Sequence, residues 1–297
     1  MKKHITLALF SITLLAGCGG GSSASPTIIE PPIINGNIVT TDLSRQSVRG
    51  VSCDLFNSDI SDVAKFKLFQ LGNIQSYHCV QVHKSDGHPT KSGDYAYRFE
   101  LRPEDCTWNT SHNDCINDRS RTEIEDDTGG INVYNKEIVW DFWMYIPKQP
   151  RFKPVGSGHL FVSQLLTMST TRCCLNYFGF AQILISSENK LSVRPLNEFS
   201  FTPAADIHST VDINAIDNPY NQWINIRYEI KTSMYNDGYS RVKINGNTVL
   251  NTTGPNVLDK DLRVMLRLGL YNGSKSKATE PYNTQVIYYD SITKSIK

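Results

Sequence analysis

The chain has 297 residues and a mass of 33.5 kDa, with 39% hydrophobic and 20% charged residues. These values exclude a multi-span membrane protein, a collagen-like chain and a wholly disordered one, and the length suits one large domain or two small ones. Basic and acidic residues stand at 30 to 29, a formal charge of +1, so no global basic field exists to gather nucleic acid and any anion site has to be a local patch.

The first segment reads as an export signal. Lys2 and Lys3 are followed by an apolar run at residues 5–15, too short to span a bilayer as a mature helix. It ends in Leu15-Ala16-Gly17-Cys18, which resembles the bacterial lipobox, where the peptide is cut before the Cys and the thiol is lipidated. A plain secretory signal with a chance Cys, or an N-terminal anchor, is the alternative. Gly19 rather than Asp follows Cys18, so the resemblance implies a lipid-anchored protein of the outer membrane, on a side the sequence leaves open. Cleavage takes two lysines off the balance of 30 to 29, and the mature formal charge is −1. The expected organisation is a signal peptide at 1–17, a lipidated Cys18 with a Gly/Ser-rich and then Pro-bearing tether at 18–44, and one folded domain at 45–297. Membrane contact is expected through the lipid alone, and the domain is expected to be a monomer.

Six further cysteines follow: Cys53, Cys79, Cys106, Cys115, Cys173 and Cys174. An even number in an exported chain favours disulfides, with about fifteen pairings open. Cys106 with Cys115 encloses a short polar loop and is the first expected pair. Cys53 with Cys79 follows by default, leaving Cys173 and Cys174 as a vicinal bridge or re-paired. Zinc is the rival, but the spacings do not match paired knuckles, and no metal ligand set is assigned.

Along the chain, one short helix is plausible at residues 61–71. Beyond it the pattern has period two. Tyr95, Tyr97, Phe99 and Leu101 alternate with Arg98, Glu100 and Arg102; Trp140, Phe142, Met144 and Ile146 form one face; Ile224, Ile226, Tyr228 and Ile230 alternate with polar residues; so do Val264, Leu266, Leu268 and Leu270. A last strand lies near residues 284–292. These are half-buried antiparallel strands, and Asn245-Gly246 reads as a hairpin turn. The expected fold is all-β, a two-sheet antiparallel β-sandwich whose curved face forms a cleft.

Three segments carry candidate chemistry. In residues 118–125, Arg119, Arg121, Glu123 and Glu125 share one face while Thr122 and Ile124 point into the core. An ordinary solvent face would explain them; alternatively, arginines and carboxylates brace each other into a donor array suited to a carboxylate-bearing substrate. In residues 267–273, Arg267 and Tyr271 share the face opposite the leucines, and Gly269 between them leaves that face open. Gln164 sits in an apolar run, where an amide needs partners or a ligand.

Arg121-Thr122-Glu123, Gln164 and Gly269-Leu270-Tyr271-Asn272 occur in the order found in jelly-roll, concanavalin A-like polysaccharide lyases, and the chain resembles that family over residues 90–295. In the alginate lyase group the segments read Arg-[Ser/Thr]-Glu, Gln-[Ile/Val]-His and a Tyr-bearing strand. The strand from Tyr97 to Arg102 and the closing Val286-Ile287-Tyr288-Tyr289-Asp290 look more like the heparin lyase I and glucuronan lyase-like branch. The resemblance implies β-elimination of an anionic, uronic-acid polysaccharide, with no cofactor required and structural calcium left open. By position it gives Tyr271 the proton-transfer role, Arg121 and Gln164 the neutralisation of the C5 carboxylate, and Glu123 the orientation of Arg121. Arg267 stands where the alginate group has Lys, and Arg98, Arg119 and Asn272 join as substrate-binding residues.

One departure matters: Leu166 replaces the family His. Either Tyr271 makes both transfers or a His comes from elsewhere, His159 being nearest and His78, His83 and His88 lying on a preceding segment. A Tyr base, with an ordinary pKa of ~10, would need cations such as Arg121 and Arg267 to lower it. Two other classes compete. A laminarinase-type retaining hydrolase would use Glu123 and Glu125, but needs carboxyl groups ~5–5.5 Å apart, and the flanking arginines would keep Glu123 ionised. A lectin-like sandwich would stack sugars on Trp108, Trp143 or Trp223, with Trp140 read as core.

Overall fold

The computed structural model describes residues 66–69, 72–110, 113–126, 133–148, 160–169, 178–186, 188–196, 211–257, 260, 262–273 and 283–297. These form β1 (Phe66–Leu68), β2 (Cys79–His83), β3 (Tyr95–Leu101), β4 (Arg119–Asp126), β5 (Glu137–Tyr145), β6 (Leu160–Ser169), β7 (Phe178–Ile185), β8 (Leu191–Pro195), β9 (Ile213–Ile216), β10 (Trp223–Lys231), β11 (Tyr239–Ile244), β12 (Asn247–Thr253), β13 (Leu262–Gly273) and β14 (Gln285–Ile296). Among the described residues there is no α-helix, only a 3₁₀ turn at Lys84–Asp86. No helix of these residues is long and apolar enough to cross a membrane.

The strands make two seven-stranded antiparallel sheets. One runs β12-β11-β10-β5-β14-β3-β2, the other β1-β4-β13-β6-β7-β8-β9. Period two decides what each face does. Ile138, Trp140, Phe142 and Met144 on β5, Ile224, Ile226, Tyr228 and Ile230 on β10, and Val264, Leu266, Leu268 and Leu270 on β13 all have no exposed surface and share one core. Trp140 is core, as its alternation implies. The all-β sandwich expected from the sequence is the fold found.

Polar groups inside this core are paired across the sheets. Tyr228 donates to the Ser163 hydroxyl at 3.1 Å, and the Tyr289 hydroxyl bonds to Val162 O and to Gly269 O. Lys294 and Asp126, both fully buried, form an ion pair of 2.8 Å, and Asp126 also accepts from Trp140 Nε1 at 2.8 Å.

The β11–β12 turn is Asn245-Gly246, with φ of 50° and 80°, the left-handed pair that a two-residue hairpin turn demands. The expected helix at 61–71 is corrected where it is described: residues 66–68 are strand β1, paired to β4 with Phe66 opposite Asp126, and Phe66 and Leu68 alternate into the core. A short apolar run fits either period, and here the open edge of β4 decides.

The Cys106–Cys115 disulfide is present, spanning 5.0 Å between Cα atoms. Cys79 is also disulfide-bonded, to a cysteine outside the described residues. Cys18, Cys53, Cys173 and Cys174 lie outside them, as do the signal peptide and tether.

Candidate active site

The site is built on β4. Thr122 and Ile124 turn inward, which sends Arg121, Glu123 and Glu125 to the opposite face of the sheet. Register then sets their neighbours. Across β4, Arg121 faces Tyr271, Glu123 faces Gly269 and Glu125 faces Arg267 on β13. Across β6, Arg267 faces Gln164 and Tyr271 faces Phe161; Gln164 in turn faces Gln182 on β7, and Gln182 faces Arg194 on β8. A polar row, Glu125–Arg267–Gln164–Gln182–Arg194, therefore crosses five strands, with Arg121–Tyr271–Phe161 forming a second row beside it.

Glu123 joins the two rows. Its Oε1 accepts from Gln164 Nε2 at 2.7 Å and its Oε2 from Arg121 at 3.3 Å. Gln164 Oε1 accepts from Gln182 Nε2 at 2.9 Å, which fixes the amide orientation. Arg121 is gripped by Asp114 through Nε and through a second nitrogen at 3.1 Å. Burial works against its charge, but Glu123 and Asp114 outweigh that and raise its pKa. Arg267 binds Glu125 Oε2 at 2.7 Å and lies over the Phe69 ring at 3.5 Å. Arg194 makes a bidentate pair with Asp212 at 2.7 and 3.0 Å.

Tyr271 is held between two partners. The Arg121 guanidinium lies 4.1 Å over its ring, and Phe161 stacks on it at 5.5 Å with planes 20° apart. Its hydroxyl makes no hydrogen bond among the described residues. Burial raises its pKa; Arg121 and Arg119 pull it down, Glu123 and Asp114 push it up, and the net shift is upward. The lowering that a Tyr base would need is supplied by these cations but outweighed: desolvation wins, so the phenol keeps its proton at neutral pH.

Gly269 serves a different purpose from an open ligand face. At φ +141°, a Cβ would stand 2.0 Å from Thr122 O and 2.8 Å from Glu123 Cα. The glycine lets β13 close on β4 at an irregular step in the β13–β6 register. Its amide is satisfied by the Tyr289 hydroxyl at 3.2 Å.

Several residues named from the sequence stand elsewhere. Arg98 is a correction: β3 belongs to the other sheet, its Tyr97, Phe99 and Leu101 fill the core, and Arg98 pairs with Glu100 on the far side. Asn272 is another, since it alternates away from Tyr271 with Leu270 and is fully buried. Arg119 does share the face, exposed at the start of β4. None of the described histidines reaches it. His78 is buried with Nε2 3.1 Å from Asp105, His83 caps the 3₁₀ turn, and His88 bonds the Tyr288 hydroxyl at 3.1 Å. His159 lies outside the described residues. Leu166, in place of the family His, lies opposite Met265. Sequence reading missed Asp114, Phe161, Gln182 and Arg194, which only strand register and the disulfide loop bring in. Among the described residues no cluster of three His, Cys, Asp or Glu side chains is placed to hold a metal ion.

The fold is similar to those of many solved structures. Among them are an endo-β-1,4-glucuronan lyase from the fungus Trichoderma reesei (TM-score 0.52, 14% identity, 86% of this chain and 94% of that one), alginate lyase Aly36B (TM-score 0.52, 12% identity, 86% and 96%) and alginate lyase A1-II′ (TM-score 0.52, 15% identity, 78% and 94%). At these identities the likeness establishes the jelly-roll fold. No curated protein matches the chain in sequence. The family model described as polysaccharide lyase matches residues 67–293, most of the chain and all of the strands that build the array, and the chain belongs to the polysaccharide lyase family.

Proposed function

We propose that this lyase cleaves a polymer of uronic acid by β-elimination, with Tyr271 as the acid that protonates the leaving O4. A base takes the C5 proton, the electron pair forms the C4–C5 double bond, and the C4–O4 bond breaks as O4 takes the Tyr271 proton. The observation that carries the assignment is the clamped Tyr271 ring, whose hydroxyl bonds to nothing among the described residues. Its raised pKa suits an acid that is loaded at rest. His159 is the candidate base at C5. The elimination needs no cofactor.

Arg119 takes over the part in carboxylate neutralisation that the resemblance gave to Arg121 with Gln164. Arg121 is committed to Asp114 and Glu123 and serves to hold Tyr271. Arg119 shares its face, is exposed, and has no carboxylate partner among the described residues, so it is the cation left to meet the substrate carboxylate. Gln164, braced by Glu123 and Gln182, stands farther along the same face, opposite Arg267. The hydrolase alternative is disfavoured because Glu123 and Glu125 are each held by an arginine.

Glucuronan and alginate, the polymers named for the similar folds, lead the substrate panel. Incubation with each should give an ultraviolet-absorbing unsaturated uronate. New reducing ends without that absorbance would make the protein a hydrolase. We further propose export as an outer-membrane lipoprotein anchored at Cys18. Cys18→Ser should release the protein from the membrane fraction or leave it uncleaved, and an unchanged fractionation with a mature N-terminus that lies elsewhere would refute the anchor.

A further inference from the structure

Asp114 sits in the loop that the Cys106–Cys115 disulfide closes, one residue from Cys115. Its backbone is pinned on both sides: its N–H donates to Thr107 O at 3.1 Å, and its carbonyl accepts from Arg119 N at 3.1 Å. Thr107 is tied in turn to β4, its hydroxyl donating to Arg121 O at 3.2 Å. Trp108 pairs with both Gly72 and Asn113, and the Asn113 side chain accepts from Cys115 N at 3.1 Å. The loop is thus a small clamp against the start of β4, and the Asp114 carboxylate is buried inside it.

That carboxylate takes the Arg121 guanidinium in a two-pronged grip. A bidentate pair fixes the plane of a guanidinium as well as its position. The other carboxylate on Arg121, Glu123, touches it once, at 3.3 Å. The plane that Asp114 sets is the plane that lies over the Tyr271 ring at 4.1 Å. We infer that Asp114 is a positioning residue for Tyr271, acting through Arg121, and that lyase activity depends on the Cys106–Cys115 bridge because the bridge holds Asp114 in place. This rests on the assignment of Tyr271 as the proton-transfer group.

The test is a cycle of four proteins: wild type, Asp114→Asn, Cys106→Ser with Cys115→Ser, and the combination. A catalytic group displaced by about 1 Å loses on the order of 100-fold. Asp114→Asn and the cysteine pair should therefore each lower kcat by roughly 10- to 100-fold and leave KM within about threefold. The combination should be no slower than the slower of the two, because both remove the same contact.

A pH profile separates positioning from general loosening. Asp114 is among the groups that hold the Tyr271 pKa up. Its removal, or its withdrawal when the loop opens, should move the alkaline limb of kcat to lower pH. If Asp114→Asn does not fold, the cysteine variant decides by the same limb. A folded Asp114→Asn protein with near-wild-type kcat, multiplicative losses in the combination, or an unmoved alkaline limb would overturn the inference. An active Tyr271→Phe variant would instead overturn the assignment on which it rests. An inactive Tyr271→Phe beside an active Asp114→Asn would overturn the coupling alone.

Discussion

Arg119 and Arg121 are two residues apart on one face, yet their surroundings give them different work. Arg121 is buried between two carboxylates and over an aromatic ring; Arg119 is exposed and has no carboxylate partner among the described residues. The kinetics should divide accordingly. A hydrogen bond to a charged group contributes ~1.5–3 kcal/mol, so Arg119→Gln should raise KM about tenfold or more. The effect should shrink on a methyl-esterified polymer, whose carboxylate is gone. Arg121→Gln should act on kcat and on stability, because it leaves Asp114 buried without its partner. Initial rates on native and esterified polymer read both. Equal KM effects from the two variants would contradict the division. The sequence shows that Arg119 and Arg121 share a face, but not that Asp114, seven residues before Arg121, returns to grip it.

At the scale of elements, alternation within a strand is legible from the sequence, and the pairing of strands is not. β3, β5, β10 and β13 are found with the faces their alternation implies. Arg98 was drawn to the site because its strand has a correct polar face; nothing in a single strand tells which sheet it joins. Gln182 and Arg194 were missed for the same reason, since only register sets them beside Gln164. Gly269 shows how tightly that register is drawn. A methyl group there would meet the β4 backbone at 2.0 Å, in a backbone conformation that side chains rarely adopt. Gly269→Ala should cost at least ~2 kcal/mol from strain and from parting β13 from β4. Chemical denaturation checks the stability, and activity should fall with it. A variant as stable as wild type would mean that β13 and β4 are farther apart than described.

Across the whole molecule, buried polar groups link the two sheets. Lys294 on β14 and Asp126 on β4 meet without solvent, with Trp140 of β5 donating to the same carboxylate. Breaking a buried pair from one side costs ~3–5 kcal/mol, and removing both charges costs less. Lys294→Met should therefore be strongly destabilising, and adding Asp126→Asn, which keeps an acceptor for Trp140, should recover part of the loss. Thermal melts of the three proteins test this, and additive losses would count against it.

Tyrosines give the molecule a second global property. Burial, followed by Asp105, pushes Tyr77 up to about 12; burial, followed by Glu137, does the same for Tyr239; burial also raises Tyr289 well above its ordinary value. Unfolded tyrosines release their protons at ~10. Above that pH the folded state binds more protons than the unfolded one, so stability falls as pH rises. This contribution is complete below about 10 and lost on the way through 12 and beyond. The melting temperature should start to fall near pH 10, and a flat profile to pH 12 would contradict these shifts.

The proposed chemistry turns on one hydroxyl, that of Tyr271. Tyr271→Phe removes a single oxygen that bonds to nothing among the described residues, so the fold should be kept. Loss of a positioned acid or base costs ~10²–10⁴ in rate. The decisive measurement is the rate of unsaturated uronate formation, followed by ultraviolet absorbance on the best polyuronate, for wild type and for a Tyr271→Phe variant with an unchanged melting temperature. The expected result is a steady rise for wild type and a loss of at least ~100-fold for the variant. A folded Tyr271→Phe protein that forms the product at near-wild-type rate would contradict the account.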